Sequence, residues 1–118
     1  MGLAIRSLEN WFSTCGQLQL DDLSAVAKQG FRSVINNRPD GEAEPTEQPS
    51  SSALAEAATA AGLMYVHLPV VSGQLAETQI KEMAHLLQTL PQPILAFCRS
   101  GTRSSNLFQL AQALQTDV

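Results

Sequence analysis

The sequence predicts an α/β fold, a mainly parallel central sheet of four to five strands with helices on both faces. Three observations carry this expectation. Short apolar runs rich in β-branched residues alternate along the chain with longer stretches of helical apolar spacing. Gly and Pro punctuate the junctions between them. The length of 118 residues, 44% of them hydrophobic, suits one core of ordinary size, so residues 1–118 are expected to form one domain.

The elements come in a regular order. An extended stretch at Ala4 to Arg6 precedes a first strand, Trp11-Phe12-Ser13-Thr14, with Trp11 as a packing anchor; Gly16 and Gln17 end it. Leu20 to Gln29 reads as a helix because Leu20, Leu23, Val26 and Ala27 share one face. Asp21 and Asp22 suit the positive end of its dipole, and Gly30 suits its stop. Phe31 to Ile35 is a buried strand. Asn36 to Ser52 is the one polar, Pro-rich and Gly-rich segment, a long loop of the kind that is often functional. Ser51 to Ala61 is an alanine-rich helix closed by Gly62, and Met64 to Leu68 is a strand closed by Pro69. A helix from about Glu77 to Leu90 carries apolar Ile80, Met83, Ala84 and Leu87 and stops before Pro91. Ile94 to Phe97 is an apolar strand, Cys98 to Arg103 a short loop, and Ser104 to Gln115 the last helix.

Strands that alternate with helices run parallel, and right-handed crossovers bring their carboxyl ends to one edge. Ligands bind at that edge, which should hold the loops after Thr14, Ile35, Leu68 and Phe97.

Composition narrows the partners. A net charge of −4 without a basic stripe argues against nucleic acid and against anionic membrane surfaces. No apolar run approaches the roughly 20 residues that cross a bilayer. The N-terminal MGLAIRSLENWF has neither a long apolar stretch nor a small-residue cleavage site, so no signal peptide is expected. Two cysteines, Cys15 and Cys98, are too few for a disulfide scaffold and read as free thiols in a cytoplasmic setting. His67 and His85 are the only histidines, and no ligand spacing surrounds them, so no metal and no cofactor is expected. His67 reads as a core or edge histidine and His85 as structural.

Chemistry concentrates in Cys98-Arg99-Ser100-Gly101-Thr102-Arg103-Ser104. A buried strand delivers a cysteine into a tight loop that opens into a helix. The successive N–H groups of residues 99 to 103 can curl into an anion-binding nest, to which the helix adds its positive end. Gly101 permits a positive φ, and Arg103 presents a planar fork to an oxyanion. These features favour thiolate over thiol, so Cys98 is the expected nucleophile. Ser104 can donate to the sulfur or to a leaving atom. Arg99, Ser100, Gly101 and Thr102 are the expected anion-binding residues. The bland alternatives are an inert buried thiol at Cys98 and an exposed helix-start arginine at Arg103. Cys15, at a strand end, reads as a buried structural cysteine or as a resolving thiol.

At these residues the sequence resembles a known family. The Cys-x4-Arg-Ser pattern is similar to the cradle shared by rhodanese-type sulfurtransferases and Cys-dependent phosphatases. With CGQL at 15–18, FRSVINNRPDGE at 31–42, YVHLPV at 65–70 and GQL at 73–75, it resembles a small bacterial family of phosphatase-like domains, beta-lactamase-hydrolase-like proteins. Some members are fused to metallo-β-lactamase-like sulfur dioxygenases. The resemblance implies a dual-specificity-phosphatase-like fold, Cys98 as nucleophile and Arg103 as oxyanion binder. It also points to Arg38 and Asp40 of the Asn36–Gly41 loop, facing the pocket or paired to each other as part of a solvated turn.

Four residues separate Cys98 from Arg103, as in many rhodanese-like enzymes, where tyrosine phosphatases have five. The loop Pro69 to Gln74 lacks the carboxylate that phosphatases use as an acid, which leaves Asp40, Glu42 or water to protonate a leaving oxygen. The leading expectation is therefore sulfur transfer through a Cys98 persulfide to a thiol acceptor. A phosphatase acting through a Cys98 phosphocysteine is the alternative, and a non-catalytic docking or anion-binding module of a sulfide-oxidising system is the third. The expected partners are a small sulfur-containing or phosphorylated substrate and a sulfide-oxidising enzyme.

Overall fold

The computed structural model describes residues 3–116. Its elements are β1 (Arg6–Glu9), β2 (Phe12–Cys15), α1 (Asp22–Lys28), β3 (Ser33–Asn36), α2 (Ser51–Ala60), β4 (Met64–His67), α3 (Glu77–Thr89), β5 (Ile94–Phe97) and α4 (Thr102–Thr116). The five strands lie in the order β1-β2-β5-β3-β4. β5 pairs in parallel with both β2 and β3, and β4 extends the parallel set beside β3. The apolar Ile-Leu-Ala-Phe run is therefore the central strand, buried along its length, as parallel pairing on both sides requires.

Register places the site. Phe97 lies opposite Cys15 on one side and Asn36 on the other, and Asn36 lies opposite His67. These residues form a row across the carboxyl edge of the sheet, and the residues just beyond them leave it side by side.

Alternate side chains of β5 feed two cores. Ile94 and Ala96 pack with Phe12, Ile35, Met83, Leu87, Leu107 and Phe108 under α3 and α4. Leu95 and Phe97 pack with Leu18, Leu23, Val26, Val34 and Leu54 under α1 and α2. Phe12 stacks on Phe108 at 4.1 Å, and Trp11 meets Phe108 edge-on at 5.6 Å, which is the anchoring role expected of Trp11.

The structure departs from the sequence reading in three places. The extended stretch near Ala4 is a strand two residues further on, antiparallel to β2. Its turn, Asn10-Trp11, lacks the glycine that usually marks a hairpin. Apolar spacing puts Leu20 on the buried face of the first helix, yet it is 45% exposed. The Asp22 carboxylate accepts the Gln19 N–H at 2.7 Å, so a turn occupies 19–22 and the helix starts at its last residue, Asp22. The last helix begins at Thr102 rather than Ser104, because Gly101 turns the chain and its carbonyl accepts the Ser105 N–H at 2.9 Å. Among the described residues no helix is long and apolar enough to cross a membrane.

Candidate active site

The loop after β5 folds around the Cys98 sulfur. Cys98 is 1% exposed, and its Sγ accepts the Gly101 N–H at 3.1 Å. Gly101 has φ +97°, the left-handed conformation that turns this N–H back onto the sulfur. Burial pushes the thiol up. The N–H of Ser104, the N–H of Gly101, the Ser104 hydroxyl and the Ser100 N–H outweigh burial, and the thiol lies below its ordinary value. The loop thus turns the N–H groups of Ser100, Gly101 and Ser104 onto the sulfur of the nucleophile candidate.

Cys15, one strand away, has no such ring. It is 4% exposed, and burial, then Asp22 and then Cys98 push its thiol up to about 12. It remains a protonated packing residue, and the resolving-thiol reading finds no thiolate there at neutral pH.

Arg103 sits in the first turn of α4, where a cation opposes the helix dipole. Glu42 holds it there. Nη1 donates to Glu42 Oε2 at 2.8 Å and Nη2 to Glu42 Oε1 at 2.8 Å, a bidentate end-on pair. Nη1 also donates to the Val70 carbonyl at 2.9 Å. These contacts leave the Nε–Nη2 edge of the fork, and Arg103 also reaches the Cys98 sulfur. The guanidinium is thus fixed from behind, with one edge turned toward the nucleophile.

Glu42 also accepts Nε of Arg38 at 2.9 Å. Arg38 is 5% exposed, and its Nη1 donates to Gln17 Oε1 at 3.0 Å. Arg103, opposed by partial burial and then assisted by Arg38, keeps the Glu42 carboxyl below the usual carboxylate range. Glu42 is therefore an anchor of two arginines and a poor proton donor. The sequence alone does not reveal this role. The one local signal is that Glu42 lies four residues after Arg38.

Asp40 is engaged elsewhere in the fold. The sequence points to it as a catalytic residue, or as a partner for Arg38. Its Oδ1 instead accepts the Ser51 N–H at 2.8 Å, at the start of α2, and it does not line the cleft. An aspartate beside free helix N–H groups finds its best partners there. Gln48 knits the rest of the loop together, with Oε1 accepting the Ala43 N–H at 2.9 Å and Nε2 donating to the Pro39 carbonyl at 2.7 Å. The long polar segment is therefore a folded support for Glu42 and Arg38.

The paired asparagines are buried and structural. Asn37 Nδ2 donates to the Leu68 carbonyl at 2.9 Å, which turns its Oδ1 to the Ser104 hydroxyl at 2.8 Å. Ser104 thus gives its one hydroxyl proton to Asn37 while its oxygen lies beside the Cys98 sulfur, to which the proton can turn when the thiolate forms. Asn36 accepts the Arg38 N–H at 2.8 Å and donates to Tyr65 at 2.9 Å. His67 Nε2 pairs with the Arg38 carbonyl at 2.9 Å, so that nitrogen carries the proton, and His85 lies exposed on α3. Among the described residues no three His, Cys, Asp or Glu side chains gather to hold a metal ion.

A cleft of about 940 Å³ opens over the loop, lined by Arg38, Glu42, Glu47, Arg99, Ser100, Thr102 and Arg103 among others. Ser100, Thr102 and Arg103 of the Cys98 loop face the cleft, while the thiol of lowered pKa lies buried within the same loop, within reach of Arg103. Such a set can hold a tetrahedral oxyanion while sulfur attacks its centre.

Comparison with known proteins agrees with this geometry. Residues 4–115 match the family model described as "Beta-lactamase hydrolase-like protein, phosphatase-like domain". A beta-lactamase hydrolase-like protein of Xylella fastidiosa is 38% identical over 99 residues, which is 84% of this chain and 22% of that protein. A counterpart in Agrobacterium fabrum matches to the same extent. The chain thus spans about a fifth of the length of these curated relatives. The crystal structure of a candidate phosphatase from Neisseria meningitidis superposes with a TM-score of 0.82 at 30% identity, covering 91% of this chain and 75% of that one. One from Shewanella putrefaciens superposes at 0.78 with 23% identity, covering 96% of this chain and 69% of that one, and shows the shared fold.

Proposed function

Because the chain belongs to the phosphatase-like domain family of beta-lactamase hydrolase-like proteins, we propose that it hydrolyses phosphomonoesters through a phosphocysteine on Cys98. The observation that carries this reading is the ring of N–H donors around a cysteine sulfur at the start of α4. The candidate phosphatase from Neisseria meningitidis supports it.

In the first step the Cys98 thiolate attacks phosphorus and the bond from phosphorus to the leaving oxygen breaks. The three remaining oxygens lie against the loop N–H groups and the free edge of Arg103. In the second step water attacks phosphorus, the P–S bond breaks, and inorganic phosphate leaves with the sulfur restored as thiolate. Ser104 can turn its hydroxyl from Asn37 to the departing sulfur. Neither acid that the sequence offers is free to help the leaving oxygen. Glu42 is held ionised by two arginines, and Asp40 is bound to α2. The reading therefore favours esters whose leaving oxygen is stable as an anion, such as aryl phosphates.

Sulfur transfer remains the second reading, on the observation that neither Asp40 nor Glu42 is free to protonate a leaving oxygen, since persulfide exchange needs no acid. The phosphatase-like relatives give it no further support. The name of the longer relatives, beta-lactamase hydrolase-like protein, makes a hydrolase-type partner the natural companion of this domain.

Intact-mass spectrometry separates the two. Incubation with 4-nitrophenyl phosphate at low pH should trap an adduct of about 80 Da on Cys98, with release of nitrophenol in excess of protein. An adduct of about 32 Da after thiosulfate, without nitrophenol release, would reverse the order.

A further inference from the structure

The chain carries a formal net charge of −4 and only seven Lys and Arg residues, yet three of those seven, Arg38, Arg99 and Arg103, line the same cleft. Two of the three are engaged. Arg38 is turned inward onto Glu42 and Gln17. Arg103 is gripped by Glu42 and Val70, with one edge left for the reacting group. Arg99 is different. It is exposed, and among the described residues its guanidinium meets no hydrogen-bond or ion-pair partner.

Its root is nevertheless fixed. The Arg99 carbonyl accepts the Gln17 N–H at 3.2 Å, and Gly16 packs so closely that a Cβ there would lie 3.0 Å from it. A long cation therefore rises from a rigid point one residue beyond the nucleophile. The loop N–H groups and Arg103 already serve the first anion. Of the two carboxylates in the lining, Glu42 is taken up by Arg38 and Arg103, and Glu47 forms no ion pair with Arg99, so the Arg99 guanidinium is left open to a further anion.

We propose, resting on the phosphatase reading above, that the preferred substrate is a phosphomonoester bearing a second anionic group, and that Arg99 receives that group. The second group is a carboxylate or phosphate a few bonds beyond the reacting phosphorus. A planar fork with five donors suits either. Arg6 provides the control. It lines a separate hollow of about 200 Å³ on the other side of Ser100 and Thr102, so a general field effect would follow both cations and a specific contact only Arg99.

The test has two arms. In the first, kcat/KM is measured for phenyl phosphate and for 3-carboxyphenyl phosphate. The wild-type protein should prefer the carboxylated ester about tenfold, mostly through KM, as a charge-assisted contact predicts. Arg99→Ala should reduce the preference to near unity, Arg99→Lys should keep part of it, and Arg6→Ala should keep all of it. In the second arm, Cys98 is alkylated by iodoacetamide under protection by inorganic phosphate or methylenediphosphonate. The diphosphonate should protect the wild type at about tenfold lower concentration, and Arg99→Ala should bring the two together. Preference or protection unmoved by Arg99→Ala, or moved equally by Arg6→Ala, overturns the proposal. Loss of turnover with the protection difference intact overturns only the hydrolase reading. A wild-type protein that neither turns over nor is protected overturns both.

Discussion

Cys15 ends β2 and Cys98 is the first residue beyond the neighbouring parallel strand β5, and both are buried, yet their thiols move in opposite directions. Burial raises both. The difference lies in the path of the chain beyond each cysteine. After Cys98 the chain curls back through Gly101 and aims N–H groups and a hydroxyl at the sulfur. After Cys15 it passes on through Gly16 to Gln17, whose N–H goes to the Arg99 carbonyl. Depth in a protein does not make a thiol reactive or inert. The direction of the next few amides does.

The largest test of this contrast is turnover. Cys98→Ser should lower kcat for an aryl phosphate by roughly a thousandfold or more, because a neutral hydroxyl replaces a thiolate. Cys15→Ala should leave kcat within about twofold, the scale of a modest packing change in a neighbouring strand. Equal losses would show that the two cysteines act as a pair. A smaller effect comes from making Cys98 resemble Cys15. Ser104→Ala removes the hydroxyl donor, so the pH of half-maximal iodoacetamide labelling should rise and turnover should fall about tenfold, the range of one hydrogen bond to a charged acceptor. No shift in the labelling midpoint would assign the acidity of Cys98 to backbone N–H groups alone.

The smallest effect is on stability at alkaline pH. Unfolded, the Cys15 thiol ionises at about 8.5, whereas folded it holds its proton to about 12. Between these values the unfolded chain binds fewer protons, so stability falls as pH rises through that window. Cys98 has the opposite sign. Its lowered thiol contributes stability that is present above the unfolded value and is lost as pH falls through the folded one. The urea midpoint, compared at about pH 7 and about pH 10, should fall less in Cys15→Ala than in wild type. Parallel curves would mean that water reaches Cys15.

The cradle was legible in the sequence because its parts are local. A buried Ile-Leu-Ala-Phe strand and, within the next six residues, a cysteine, a glycine and an arginine constrain one another through covalent geometry alone. The parallel sheet was legible for a related reason, since each strand and helix carries its own apolar period. Glu42 was not legible in its true role. Its partner Arg103 stands 61 residues away, and no local pattern tells which of several acidic residues in a polar loop will turn inward. The loop's acidity pointed to Asp40 as much as to Glu42. They are separated because one lies near the free N–H groups of α2 and the other near two guanidinium groups, which only the folded chain decides. Asn37 escaped for the same reason. Asn-Asn before Arg-Pro reads as a turn, but the pair leaves the middle of a sheet, where both side chains are buried.

Gly16 and Gly101 face each other's backbones across the site. A Cβ on Gly16 would meet the Arg99 carbonyl at 3.0 Å, and one on Gly101 would meet the Cys15 carbonyl at 3.3 Å in a conformation that L side chains rarely adopt. Each glycine thus abuts the main chain beside the other, where there is no side chain to trim. A change at one position finds no compensating change at its partner. In lineages descended from this chain the two positions should vary only together with the cysteine itself, as a single inherited unit that is kept whole or given up whole.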